Sequence, residues 1–396
     1  MKIAMLGSGT ASAIALLTFY TLVKENKIKT PLEFYCVYDP AISVTTVGES
    51  LPPAVTSLLF DAINFNPITE MAELDATERY GSKYYWTPAH GNDFYIRYKG
   101  VGFHANSEKL SAYVIKRLGE IHNNFHVIED KIVNILSNLN NTTVTGTKGE
   151  YTFDLVFNVL GTPSADELKK DYFTPEFQGV NAVLIHADYK NYEEKFTSAY
   201  IHDRGWMFGV PLTTRKAFGY AYNTNFCSTA DAEKTFSELK NIDGTKTRHI
   251  NWSQYYRKQA MENSMVYLGN KVYFFEPHQA LPLAYTINLV SVVITALQKH
   301  QDSNKIIQEV NNYHLTAVGY MQDLIAMNYV GENKFNNKYW RWAKQAAKDR
   351  LSKSPYWKEF VRRYKANGGR CDGFYIHADV TMQEYVDGYK INLNDF

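Results

Sequence analysis

Cysteine is scarce in this chain. Its three cysteines, Cys36, Cys227 and Cys371, include no CxxC pair, which excludes a disulfide framework and a thiolate zinc centre. A reducing, cytoplasmic setting is the expectation, with no metal site. Charge imbalance is also lacking, because 42 Lys and Arg face 41 Asp and Glu, an ordinary balance for a folded protein. No HExxH, P-loop or GxSxG pattern occurs, which removes the usual signatures of zinc peptidases, P-loop NTPases and serine hydrolases. Aromatic residues, in contrast, are abundant. Among 396 residues, 30 Tyr, 22 Phe and 6 Trp make an aromatic-lined pocket easy to build.

Charge is absent from Ile3 to Val23, a length that alone suggests a membrane span. Gly7, Ser8, Gly9, Thr10 and Ser12 break the run, so it reads instead as strand, glycine turn and helix. No membrane association is expected. The turn carries Gly7-x-Gly9-x-x-Ser12, in which Gly7 permits the tight turn, Gly9 admits a pyrophosphate and Ser12 allows close helix packing. A second strand, Leu32–Tyr38, ends at Asp39, where a dinucleotide fold places a carboxylate for the ribose. The alternative for Asp39 is a turn cap before Pro40. Two more strands are expected, Asp154–Leu160 running into Gly161, and Gly269–Phe275 ending in Glu276-Pro277. An uncharged helix follows to about Leu297.

Four local patterns in order resemble the flavin-dependent halogenases, the tryptophan-halogenase family in particular. Gly7-Ser8-Gly9-Thr10-Ala11-Ser12 is similar to that family's GxGTAG, and Val47-Gly48-Glu49-Ser50-Leu51-Pro52 to VGEATxP. Gly205-Trp206-Met207-Phe208-Gly209-Val210-Pro211-Leu212 resembles GWxWxIPL, and Phe275-Glu276-Pro277 the start of FLEPLEST. The run from Asp323 through Asn328-Tyr329 to Tyr339-Trp340 is similar to the family's DFxxxHY and FW pair. The chain also departs from the family. Phe208 replaces a Trp, Gln279 stands at the substrate-facing carboxylate, and the Ser and Thr of the halide site give way to Ala280 and Leu281.

The resemblance implies an α/β flavoprotein with a Rossmann-like FAD domain of the aromatic hydroxylase type, an additional β-sheet and a C-terminal helical cover over the substrate. Residues 1–300 form the discontinuous FAD domain, with substrate-side strands at about 77–100 and 181–260, and residues 301–396 form the cover. FAD would be held by Gly7, Gly9, Thr10, Ala11, Ser12, Asp39, Val47, Gly48, Glu49, Ser50, Ile132, Gly161, Glu276, Pro277 and Leu283. Leu281 and Pro282 would hold the halide, while Trp206, Phe208 and Gln279 would separate flavin from substrate. Reduced FAD, oxygen and halide would generate hypohalous acid, relayed to a lysine beside an electron-rich arene. The pattern KxGxxF falls on Arg79 to Tyr84, placing Arg79 under the lysine and Lys83 four residues on. Chemistry prefers Lys83, because a guanidinium stays protonated and a desolvated lysine does not. Fewer hydroxyl donors favour bromide or iodide over chloride, since large anions lose less on desolvation. A separate flavin reductase would supply electrons, for no second GxGxxG occurs. The competing readings are an FAD-dependent aromatic hydroxylase and a noncatalytic flavin protein.

Asn333 to Arg370 holds 12 Lys and Arg against 2 Asp and Glu. A solvated helical face with inward aromatics is favoured there over a nucleic-acid site.

Overall fold

The computed structural model describes all residues except 29, 43–47, 87–92, 190–192, 241–246, 279, 372–374 and 378–379. β1 (Lys2–Leu6) turns through Gly7 into α1 (Thr10–Lys24), which is buried continuously from Ser12 to Thr21. The uncharged N-terminal run is thus a core strand and helix, and the apolar side chains that mimic a span are what bury it. β2 (Glu33–Tyr38) pairs parallel with β1. β3 (Glu49–Leu51), β4 (Thr77–Tyr85) and β5 (Phe94–Ala105) leave for a second sheet, and β6 (Phe125–Glu129) returns beside β2. Leu155–Asn158 and Met265–Tyr267 extend the parallel ladder on the other side of β1, and Met261–Glu262 completes six strands. Phe19 of α1 locks onto this sheet through Phe34 and Phe157, with ring centroids 5.3 Å away in each case.

The second sheet has eight strands, in the order Arg248–Asn251, Ala182–Asp188, Lys216–Tyr222, Gly205–Pro211, Thr197–His202, β4, β5, β3. All its pairings are antiparallel except that of β4 with Thr197–His202. Two layers of side chains cover its faces. Ala199, Ile201, Trp206 and Ala221 face the main core, whereas Met207, Phe218, Tyr220 and Tyr222 pack under the helix Thr229–Lys240.

One expected strand is different. Gly269, at φ +58°, starts a 3-10 turn over Gly269–Lys271, leaving only Tyr273–Phe274 extended, in a three-stranded sheet with Tyr255–Arg257 and Tyr172–Phe173. The helix that follows, Leu281–Lys299, is apolar and long enough to cross a membrane, and it packs between α1 and the helix Ser303–Val330 with half its length buried. Helices Lys338–Lys353 and Pro355–Ala366 carry the basic segment. Trp340 and Trp357 are buried in it, but Trp342 remains 37% exposed against Phe226.

Gly205 sits at φ +155°, where an added Cβ would lie 2.2 Å from the Ala221 carbonyl oxygen. Gly205→Ala should therefore destabilise the fold by about 2–4 kcal/mol, read as a lower urea midpoint at unchanged slope.

Candidate active site

The glycine turn and the strand β3 meet at one place. Gly7 has φ +107°, and a Cβ there would press on the Val159 carbonyl, while Gly9 opens onto empty space. Gly9 caps α1 without a side-chain bond, so the first amides of that helix face an anion site. Ser12 Oγ donates to the Gly7 carbonyl at 2.7 Å and fixes the turn. Glu49 lies against Thr10, and desolvation pushes its carboxyl up to about 7 although the Thr10 hydroxyl opposes this. Gly48 adopts φ +99° and donates its N–H to Ser107 Oγ at 3.3 Å. Asp39 follows β2, where its Oδ1 accepts the Ala41 N–H at 2.9 Å. Gly161, at φ +58°, also faces open space. Ile132 begins the hairpin strand Ile132–Ser137 beside that sheet. Val47 and Gln279 lie outside the described residues.

Glu276 is the centre of a buried polar joint. Its Oε1 accepts the Val180 N–H at 3.0 Å and Gln254 Nε2 at 3.4 Å. Its Oε2 accepts Trp206 Nε1 at 3.4 Å and the Tyr329 hydroxyl. Desolvation nevertheless raises the carboxyl to about 7 against these donors, Tyr329 first. Its carboxylate is committed to protein donors, so a cofactor at Glu276 would meet its backbone. Trp206 stacks on His278 with centroids 3.7 Å apart and touches Phe208 at 5.8 Å. Phe208 in turn presses on Gly219, where an added Cβ would lie 2.1 Å from its ring.

Lys83 does not join this group. A β-bulge lies between Arg79 and Gly81, where Gly81 takes φ +141°. One inserted residue reverses the alternation of a strand. Ser82 and Tyr84 consequently share the face of Thr197, Ala199 and Phe208, while Lys83 pairs across to Ser198 and Gly209 on the opposite face. Its ammonium is 3.2 Å from Asp93 and 4.3 Å from the centre of the Tyr85 ring. Bonds to Tyr85, Tyr95 and Asp93 hold its pKa above the usual lysine range, so the desolvated amine expected at this position is absent. Arg79 takes the inner face. Buried to 2% exposure, its guanidinium donates to Thr197 Oγ1 at 2.9 Å, the Ser50 carbonyl at 3.1 Å and Ser82 Oγ at 3.1 Å. Ser50 Oγ and Thr197 Oγ1 lie 3.1 Å apart. His104 joins through Nε2 to Thr197 Oγ1 at 2.9 Å, and burial and Arg79 keep its pKa well below normal. The line of polar groups therefore begins one residue from Glu49.

The model for the tryptophan halogenase family matches residues 169–374, just over half of the sequence. The chain belongs to the tryptophan halogenase family. Among curated relatives, it is 23% identical over 224 residues to the tryptophan 6-halogenase ThaL of Streptomyces albogriseolus and 24% identical over 158 residues to the tryptophan 6-halogenase SttH of Streptomyces toxytricini. Those alignments cover 55% and 38% of this chain but only 39% and 29% of the relatives' own lengths. The fold is similar throughout to a tryptophan halogenase from Shewanella frigidimarina, with a TM-score of 0.82 at 17% identity over 99% of this chain and 89% of that one. BrvH, a flavin-dependent halogenase from Brevundimonas sp. BAL3, gives 0.80 at 15% identity, covering 98% and 89%.

Leu281 and Pro282 offer a halide little, since Pro282 has no N–H and the Leu281 N–H points at the His278 carbonyl, 3.5 Å away. Leu283 N–H goes to the Ala280 carbonyl at 3.1 Å, although its buried side chain remains in the core. Asn106 accepts Glu108 N–H at 3.1 Å and Lys109 N–H at 3.3 Å and so caps the helix Ser107–Ile121. Sequence reasoning missed His278 and Trp86. The ring contacts of His278 with Trp206 and Trp86 cross from one segment to another, and only the local run of aromatics hinted at them. Among the described residues no three His, Cys, Asp or Glu side chains gather as metal ligands.

Glu276 also sets a pH signature. Its folded pKa of about 7 exceeds the ordinary carboxylate value near ~4.3, so the folded state keeps the proton longer and stability is lost as pH rises through that interval. Glu276→Gln cannot titrate. Relative to the parent protein, the variant should gain on the order of 1–3 kcal/mol between pH 5 and pH 8, measured by urea unfolding, and a difference of opposite slope refutes the assignment.

Proposed function

We propose that this chain is an FAD-dependent halogenase that uses reduced flavin, oxygen and halide to halogenate electron-rich aromatic molecules, with electrons delivered by a separate flavin reductase. Family membership supports this, and the carrying observation is the meeting of the Gly7 to Ser12 turn with Glu49 at the head of the Ser50, Thr197 and Arg79 line. The residues present fit FAD. Uncapped α1 amides suit its pyrophosphate, Asp39 suits a ribose hydroxyl, and Gly9 and Gly161 leave space where a side chain would intrude. Bound there in its reduced form, the flavin supplies the oxygen-activating chemistry.

The remaining chemistry falls to this chain's side chains. Arg79 presents a planar set of N–H donors, and a guanidinium is a poor nucleophile. It is suited to hydrogen-bond and orient an anionic or hypohalous species, not to form a haloamine. The lysine relay is thereby replaced by a guanidinium. Trp206 and Phe208, held against Glu276 and Gly219, wall off the inner face of the sheet. With hydroxyls missing from the start of the helix Leu281–Lys299 and its first N–H engaged, little is available to replace the strong hydration of chloride. Bromination and iodination are favoured for that reason.

The test is turnover of an arene panel by the purified chain with FAD, a flavin reductase, a nicotinamide donor and each halide, read by mass spectrometry with catalase present. Bromide and iodide should exceed chloride. Arg79→Met should lower turnover at least about 100-fold, as loss of an electrostatic donor does, while flavin binding persists; Lys83→Ala should retain it. Chloride equal to bromide defeats the halide ranking, and halide-independent hydroxylation makes the chain an aromatic hydroxylase.

A further inference from the structure

Among the described residues, two buried polar atoms beside the inner face of the second sheet, Trp86 Nε1 and His278 Nε2, have no hydrogen-bond partner. Trp86 is fully buried and His278 is 3% exposed. The two rings meet edge to face with centroids 6.1 Å apart, and His278 is the residue stacked on Trp206. Trp86 continues the alternation of Ser82 and Tyr84, which puts it on the Arg79 side of the sheet. Buried donors and acceptors are costly to leave unpaired, and two of them in ring contact, next to the wall of a proposed active site, describe the polar half of a ligand.

Building on the halogenase reading, we propose that Trp86 and His278 recognise the hydroxyl group of a neutral hydroxyarene, so that the substrate class is phenols and not the zwitterionic amino acid. Trp86 Nε1 is a donor only. Burial holds the His278 imidazole neutral, with its pKa down to about 3, and in the tautomer protonated at Nδ1 the Nε2 atom is an acceptor. A phenolic hydroxyl accepts from the indole N–H and donates to the imidazole, satisfying both. An indole N–H satisfies only the imidazole, and an ether oxygen only Trp86. The nearby carboxylate cannot serve an ammonium group, because Glu276 already takes Tyr329, Trp206, Val180 and Gln254 and stands 3.8 Å from His278 Nε2. Bringing a zwitterion to that wall strips its ammonium group of water with no carboxylate left to pair with it.

Equilibrium binding to the FAD-loaded protein, followed by calorimetry without reductant, tests this independently of turnover. The probes are 4-propylphenol, 4-propylanisole, 3-methylindole and tryptophan. The phenol should bind about tenfold tighter than the anisole and the methylindole, the difference one buried hydrogen bond makes, and tryptophan should bind more weakly still. Trp86→Phe and His278→Phe, which keep the rings, should each erase the preference for phenol over anisole. Equal binding of phenol and anisole by the parent protein, tighter binding of tryptophan, or an unchanged preference in both variants overturns the proposal. Selective phenol binding without halogenated product keeps this site and removes the halogenase reading; halogenation without phenol selectivity does the reverse.

Discussion

One carboxylate decides how the sheet and the C-terminal helices meet. Glu276 lies in an apolar interior where an ionised group loses its water, a cost of several kcal/mol unless donors replace it. Four donors do, and they come from different parts of the chain: the loop at Val180, Gln254, Trp206 of the central sheet and Tyr329 at the end of the helix Ser303–Val330. Tyr329 and its ring neighbour Trp340 are held in turn. Tyr329 packs so closely on Gly179 that a Cβ there would lie 2.2 Å from its ring. Trp340, edge on to Trp86, gives its indole N–H to the His202 carbonyl at 2.8 Å. The joint thus fixes Trp206, and through Trp206 the orientation of His278.

A second buried acid repeats the device farther out. Asp323 receives Arg350 at 2.9 Å and the hydroxyl of Ser354, which also caps the helix Pro355–Ala366. Burial raises its carboxyl to about 6 despite Arg350. Glu276 ties the helices to the sheet with neutral donors, and Asp323 ties the helices to one another with a cation. The inner face of the sheet is organised by the opposite charge. Arg79 is a buried cation that donates to a carbonyl and two hydroxyls, so among the described residues its positive potential is directed inward and no carboxylate hydrogen-bonded to it cancels it.

Local sequence carried a large part of this. The order strand, Gly7 to Ser12, helix, strand, Asp39 is visible because parallel strands buried on both faces are continuous apolar runs and because tight turns demand glycine. Trp206 and Phe208 were visible as an ordered motif. What escaped was register. Residues 79 and 83 share a face of an unbroken strand, and the register shift between Arg79 and Gly81 separates them. A glycine inside an otherwise alternating run is the available sign of such a bulge, and Gly81 was legible only as part of a motif. The segment Gly269–Phe275 misled for a related reason, since its apolar run is as compatible with a turn and a two-residue strand as with a sheet strand. The Trp86 and His278 pair was out of reach, because nothing in one segment specifies the depth at which another crosses it.

The sheet order has a consequence for how the protein is made. β1 is central to its sheet, yet one neighbour is Leu155–Asn158, and the outer strands end at Tyr267. β4 likewise waits for Thr197–His202, and Glu276 waits for Tyr329. Long-range pairings of this kind fold slowly and leave strand edges unpaired until their partners exist. During translation the first hundred residues leave the ribosome with neither sheet able to close. For more than half of its synthesis the nascent chain carries strand edges whose partners have not yet been made, which is the stage at which such edges are open to association with other chains.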